Sequence, residues 1–234
     1  KSFKLYILFF SKMQYNNLAI IGTSHISKQS VDEVRSYILT ENPDIIAIEL
    51  DKLRFHALLS KKRKLKIRDI KRIGLTGLIF GIIGGYIEKK LGKLLKTKPG
   101  SEMLIAIKLA KKHKIPILLM DQDIRITLKK ISKQMPFKEK LKFLKDLFFT
   151  KQNKKELREI DISKVPDEKI IMEITKEFKK RYPVLHKILI IERNQIMAKN
   201  LNNLKIHNKD KKILAIMGAG HKKDIEKLLK NGNV

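Results

Sequence analysis

Four short runs in this chain are apolar from end to end: residues 18–21, 45–48, 115–120 and 213–217. That feature constrains the fold most, because a strand with one wet face alternates in polarity, whereas a strand covered on both faces of a parallel sheet reads as one continuous apolar run. The stretches between them carry helical spacing. Val31, Val34, Tyr37 and Ile38 share one face, as do Met103, Ala106, Ile107 and Ala110 behind Ser101 as cap, and residues 184–204 read as a longer helix. Strands alternating with helices predict an α/β fold, with a mainly parallel β-sheet core and flanking helices.

Two segments exceed a minimal strand–helix–strand repeat and read as lysine-rich, mostly helical insertions at about 60–99 and 129–183. The first wraps basic residues around a glycine-rich apolar stretch, and the second carries Phe137, Phe143, Leu147, Phe148 and Phe149 among its lysines. With 234 residues and 43% hydrophobic content the chain can bury one sizeable core, predicting a single domain over 17–234 behind an extension at 1–16, with Met13 as a candidate start. The apolar stretch at 73–87 falls short of the roughly 20 residues a spanning helix needs, and its five glycines weaken it further. Cysteine is absent, which excludes disulfides, thiolate metal sites and a cysteine nucleophile.

The formal charge of +29 brings an anionic neighbour into consideration, a membrane surface, nucleic acid or an acidic substrate, while a lysine- and isoleucine-rich composition can equally reflect a biased genome or a hot habitat. No nucleic-acid reading motif accompanies the charge, and phenylalanines spaced among lysines describe a helix core with a solvated face.

Each apolar run ends in ionisable groups: Gly22-Thr23-Ser24-His25, Glu49-Leu50-Asp51, Asp121-Gln122-Asp123 and Gly218-Ala219-Gly220-His221. Open parallel sheets bind ligands beyond the carboxyl ends of their strands, so these groups are expected to converge. In both Gly-x-x-His turns the glycine is expected to let the backbone turn sharply and project the histidine over the strand end. His25, His221 and Glu49 match a ligand set for a divalent metal with an open position, and zinc, manganese, cobalt and iron all suit such donors. Glu49 could serve as third ligand or as general base, and the histidines could instead cap the helices that follow. Gly218-Ala219-Gly220 begins like a dinucleotide fingerprint, but Lys223 stands where the third glycine belongs. Ser24 lacks the flanking glycines of a nucleophile elbow.

Arg193 falls on the helical face of Leu189, Ile196, Met197 and Leu204, so it needs an anionic partner, for which Glu49, Asp123 or a substrate carboxylate are candidates. Arg54 lies one turn into the helix after Glu49. His56, His113, His186 and His207 have no such company and read as surface residues.

The strings Gly22-Thr23-Ser24-His25-Ile26-Ser27, Glu49-Leu50-Asp51 with Arg54, Pro99-Gly100-Ser101-Glu102-Met103, Asp121-x-Asp123-Ile124 with Thr127-Leu128, Glu192-Arg193-Asn194 with Met197-Ala198, and Gly218-Ala219-Gly220-His221 together resemble the TraB family. That family, named from pheromone-shutdown proteins, is similar to the Tiki metalloproteases and more distantly to erythromycin-esterase-like and ChaN-like proteins. The resemblance runs in order from about residue 17 to 229. It implies an α/β fold with helical insertions and metal-dependent peptide hydrolysis at a prokaryotic-type protein that is membrane-associated or cytoplasmic. It implies a site built on His25, His221 and Glu49, with Arg54, Glu102 and Arg193 in support. Gln122 stands where the family usually has arginine, a side chain that the resemblance implies would either neutralise Asp121 and Asp123 or contact substrate. Longer prokaryotic members continue into hydrophobic membrane segments, whereas no transmembrane helix is expected within this chain.

Overall fold

The computed structural model describes residues 14–15, 17–23, 28–60, 73–74, 77, 79–81, 100–149 and 168–232. Five strands form one sheet in the order β1-β2-β5-β3-β4. They are β1 (Gln14–Tyr15), β2 (Leu18–Thr23), β3 (Ile45–Ile48), β4 (Ile117–Leu119) and β5 (Ile213–Gly218). The last four are parallel, as their apolar character predicts, while β1 adds to the edge in the antiparallel sense. The register aligns the strand ends. Thr23 pairs with Gly218, Ile48 pairs with both Ile216 and Leu119, and the Glu49 amide continues the ladder by donating to the Ile216 carbonyl at 3.0 Å.

Alternate residues of β5 face opposite ways, and each set is covered by its own helices. Ile213, Ala215 and Met217 join Leu18, Ile20, Met197, Leu201 and Ile225, so this face lies under α8 (Glu192–His207) and α9 (Ala219–Lys230). Leu214 and Ile216 join Ile46, Ile48, Val34, Ile38, Met103 and Ala106, under α1 (Lys28–Glu41) and α3 (Ser101–His113). Burial of each of the Leu, Ile, Val and Met side chains is worth about 1.5–3 kcal/mol, so covering both faces stabilises the sheet. Helix α2 (Lys52–Ser60) follows the Glu49 turn.

Where α3 begins, the structure corrects the cap: Gly100, at a φ of 78°, occupies the N-cap position, and Ser101 is already the first helical residue. A left-handed backbone at that point favours glycine over serine.

A third, smaller core gathers residues of both lysine-rich segments. Ile73 and Phe80 pack with Leu128, Ile131, Met135, Tyr182, Leu185 and Ile188. The Phe80 and Phe143 rings stack at 4.8 Å, and Phe143 meets Tyr182 edge-on at 5.4 Å. The helices involved are α4 (Ile124–Gln134), α5 (Phe137–Phe149), α6 (Glu168–Arg181) and α7 (Pro183–His186). Leu147, Phe148 and Phe149 have side chains outside the described residues. A π-helical segment, Lys187–Ile191, joins α7 to α8, so the helix expected at 184–204 is a continuous helical stretch with a widened turn inside it. His186 departs from the surface reading. It is buried, with its ring 5.9 Å from that of Phe178. Burial is the main cause that lowers its pKa, followed by the nearby Lys179 charge, while Asp224 opposes them.

Candidate functional site

Glu49 leaves β3 at the centre of the aligned strand ends and is buried. Its Oε2 accepts the Gly218 amide at 2.6 Å, which ties the end of β3 to the end of β5, and its Oε1 accepts from Arg193 Nη2 at 2.5 Å. The same Nη2 donates to Asp121 Oδ2 at 2.6 Å, and Arg193 Nε lies 3.2 Å from both Asp121 oxygens. Asp121 also accepts from Arg54 Nη2, and Arg54 Nε donates to Asp51 Oδ2 at 2.6 Å. One connected network therefore spans β3, β4, α2 and α8. Its three carboxylates and two guanidinium groups leave one net negative charge before His221 is considered.

Local sequence explains how each side chain is held. Asp51 caps α2, its Oδ1 accepting the amides of Leu53 at 2.8 Å and Arg54 at 3.2 Å, which places Arg54 one turn on to reach back. Arg193 sits just after the π segment, and its Nη1 donates to the Leu189 carbonyl at 3.1 Å. Widened turns of this kind occur often beside functional groups. Burial pulls the Arg193 pKa down, but the charges of Glu49 and Asp121 more than offset it, so the group stands above the ordinary arginine value. Arg54 is also raised: burial again opposes, and Asp121 is the largest contributor in its favour.

His221, in the first turn of α9, is buried and its ring joins the network. Nε2 lies 3.4 Å from Glu49 Oε1 and 3.3 Å from Arg193 Nη1, while Nδ1 lies 2.6 Å from Asn194 Oδ1. It does not cap the helix; Gly218 holds that position.

The glycines act differently from the sharp-turn expectation. Gly218 has extended backbone, with φ −61° and ψ 140°, and neither it nor Gly220 is among the positive-φ residues. A Cβ on Gly220 would meet nothing within 4 Å. Close approach decides Gly22 instead, because a Cβ there would stand 3.2 Å from the Ala219 Cα and 3.1 Å from Lys222 Cδ.

Asp123, Glu192 and Gln122, also singled out in the sequence, bond to other partners among the described residues. Asp123 is at the rim, capping α4 through the Arg125 amide at 2.8 Å and pairing with the Arg125 side chain, so the second carboxylate on Arg193 is Asp121 and not Asp123. Glu192 pairs with Lys130 at 2.5 Å. Glu102 is buried in the first turn of α3, where a negative charge suits the helix dipole. Gln122 donates to Thr127 Oγ1 at 2.8 Å, and Asp121 is neutralised by Arg54 and Arg193 without an arginine at position 122. Ser24 and His25 lie outside the described residues.

His221 and Glu49 suit a metal in donor chemistry. A ligating imidazole ordinarily has its second nitrogen hydrogen-bonded, as Nδ1 is to Asn194, and each carboxylate oxygen offers more than one lone pair. Among the described residues no group of three or more histidines and carboxylates is arranged to hold an ion, and Arg193 already lies on both atoms.

Aligned strand ends carrying a buried Glu–His–Arg network, between helical layers, define an α/β domain with its polar site at the carboxyl edge of the sheet. The TraB/PrgY/gumN family model matches residues 10–232, and the chain belongs to that family. It is 36% identical over 228 residues to an uncharacterized protein of Methanocaldococcus jannaschii, covering 93% of this chain and 55% of that protein. It is 24% identical to a TraB domain-containing protein of Mus musculus and 22% identical to one of Homo sapiens, each alignment covering 89% of this chain and 61% of the relative. The chain thus spans little more than half the length of these relatives.

Proposed function

We propose that this chain is a hydrolase of peptides that works with a divalent metal beside an anionic membrane surface, in processing peptides or regulating a peptide signal. The observation that carries the reading is the close approach of two buried candidate donor atoms, His221 Nε2 and Glu49 Oε1, 3.4 Å apart where the parallel strands end. Glu49 and His221 would hold the ion together with His25, which follows β2 in the sequence and lies outside the described residues. Such an ion, zinc, manganese, cobalt or iron, supplies Lewis-acid polarisation of the peptide carbonyl. Arg193 or Arg54 would offset the negative charge that grows on the carbonyl oxygen, since both are fixed cations at the same edge. Support for a membrane surface comes from the +29 formal charge, which suits anionic headgroups. Among the described residues no helix is long and apolar enough to cross a membrane.

The second reading is a non-catalytic module that binds peptide or membrane, favoured by Arg193, whose guanidinium already occupies hydrogen-bonding positions on Glu49 and His221. Glu49→Gln separates the two when metal-loaded protein is assayed against a peptide library. The hydrolase reading expects turnover in the parent and at least a hundredfold loss in the variant with peptide binding and circular dichroism retained. Peptide binding without turnover in either protein would leave the module.

A further inference from the structure

Asp224 lies one helical turn after His221 on α9 and has no role in the network so far described. Its Oδ2 accepts from Asn194 Nδ2 at 3.1 Å, and Asn194 Oδ1 faces His221 Nδ1 at 2.6 Å. An asparagine amide can present either its oxygen or its nitrogen, so its orientation must be read from its neighbours. A carboxylate only accepts, which turns the Asn194 NH2 toward Asp224 and leaves the carbonyl oxygen for the ring. That oxygen in turn requires a proton on His221 Nδ1. A ring with one proton then carries its lone pair at Nε2, the atom 3.3 Å from a guanidinium donor of Arg193. With the amide reversed, Nδ1 would accept and Nε2 would carry the proton, toward Glu49 Oε1 at 3.4 Å but against the Arg193 donor at 3.3 Å, and the Asn194 oxygen would face the Asp224 carboxylate.

We infer that Asp224 is a positioning residue that acts through Asn194 to fix the tautomer of His221, keeping the Nε2 lone pair available to accept from Arg193 Nη1. The two intermediates in the chain differ in burial. Asn194 is 2% exposed and Asp224 is at the surface, so Asp224 can be changed with little effect on packing while the amide it orients stays enclosed. Asp224→Asn is the informative substitution, because it keeps shape and removes the group that can only accept. The inference rests on the proposed site only for its consequence in metal binding; the tautomer itself is independent of that reading.

The test is a long-range 1H–15N correlation spectrum of the imidazoles in metal-free protein, with His221 assigned by its loss in His221→Gln. The parent is expected to show Nδ1 protonated and Nε2 bare, and Asp224→Asn is expected to populate the opposite tautomer with circular dichroism unchanged. Zinc affinity measured on the same samples is expected to fall about tenfold in the variant, the usual scale for removing a group that orients a ligand. A parent ring protonated at Nε2, or an unchanged His221 pattern in the variant, would overturn the inference. A tautomer change with no zinc binding in either protein would uphold it and count against the metal reading alone.

Discussion

Asp121 and Asp123 stand two residues apart at the end of the same strand, each bonded to an arginine, and they do different work. The Asp121 side chain is fully enclosed and receives both Arg54 and Arg193, whereas Asp123 is 31% exposed, caps α4 and pairs with its near neighbour Arg125. Charges removed from water must be matched closely, and breaking such a set leaves an uncompensated charge inside the protein. A rim pair keeps its water and loses little when broken. The difference separates a network that can support chemistry from a cap that shapes a helix.

The largest effect should follow Asp121→Ala, which removes the acceptor shared by Arg54 and Arg193 and leaves each with a single carboxylate, Asp51 or Glu49: with several charge-assisted bonds lost together, a loss of about 3–5 kcal/mol in urea unfolding is expected. A loss below about 1 kcal/mol would erase the distinction. Arg54→Ala removes one of the two cations from a more exposed position, and the expected loss is smaller, about 1.5–3 kcal/mol, the range for a hydrogen bond to a charged group. Asp123→Ala should cost about 1 kcal/mol through loss of the cap.

Asp123→Asn is the finest probe, because asparagine keeps the cap and removes only the charge, with an expected cost of no more than about 0.5 kcal/mol. The Arg125 side-chain hydrogen bond is the main cause that holds the Asp123 carboxyl below the ordinary aspartate value, with burial opposing it. A folded-state pKa lower than the unfolded one stabilises the protein above the unfolded value and loses that contribution as pH falls through the folded one. The difference between parent and Asp123→Asn should accordingly be present at neutral pH and vanish on acidification below the usual aspartate range, as followed by urea midpoints across pH.

Much of this was legible from apolar runs. Residues 18–21, 45–48 and 213–217 lie within strands because only a two-sided core accommodates unbroken apolar sequence, and the groups that follow them meet because the sheet is parallel. The fourth run is shorter as a strand, Ile117–Leu119: its second residue, Pro116, lacks an amide donor, and the strand starts after it. Two-residue β1 carries too little pattern to read. His186 looked solitary in sequence because its cover comes from the insertion helices, whose mutual packing no periodicity specifies. At the site, helical spacing indicated that Arg193 would face inward, but Asp121 and not Asp123 reaches it because Asp123 is taken up in capping α4 and pairing with Arg125. Asp224 carried no signal beyond its place three residues after His221.

The most direct test of the central claim is the metal content of protein purified without chelator or nickel affinity, by elemental analysis of the parent, His25→Ala and His221→Ala. The account predicts close to one equivalent of a transition metal in the parent and its loss in both variants with circular dichroism unchanged. A parent that stays metal-free after reconstitution would contradict it.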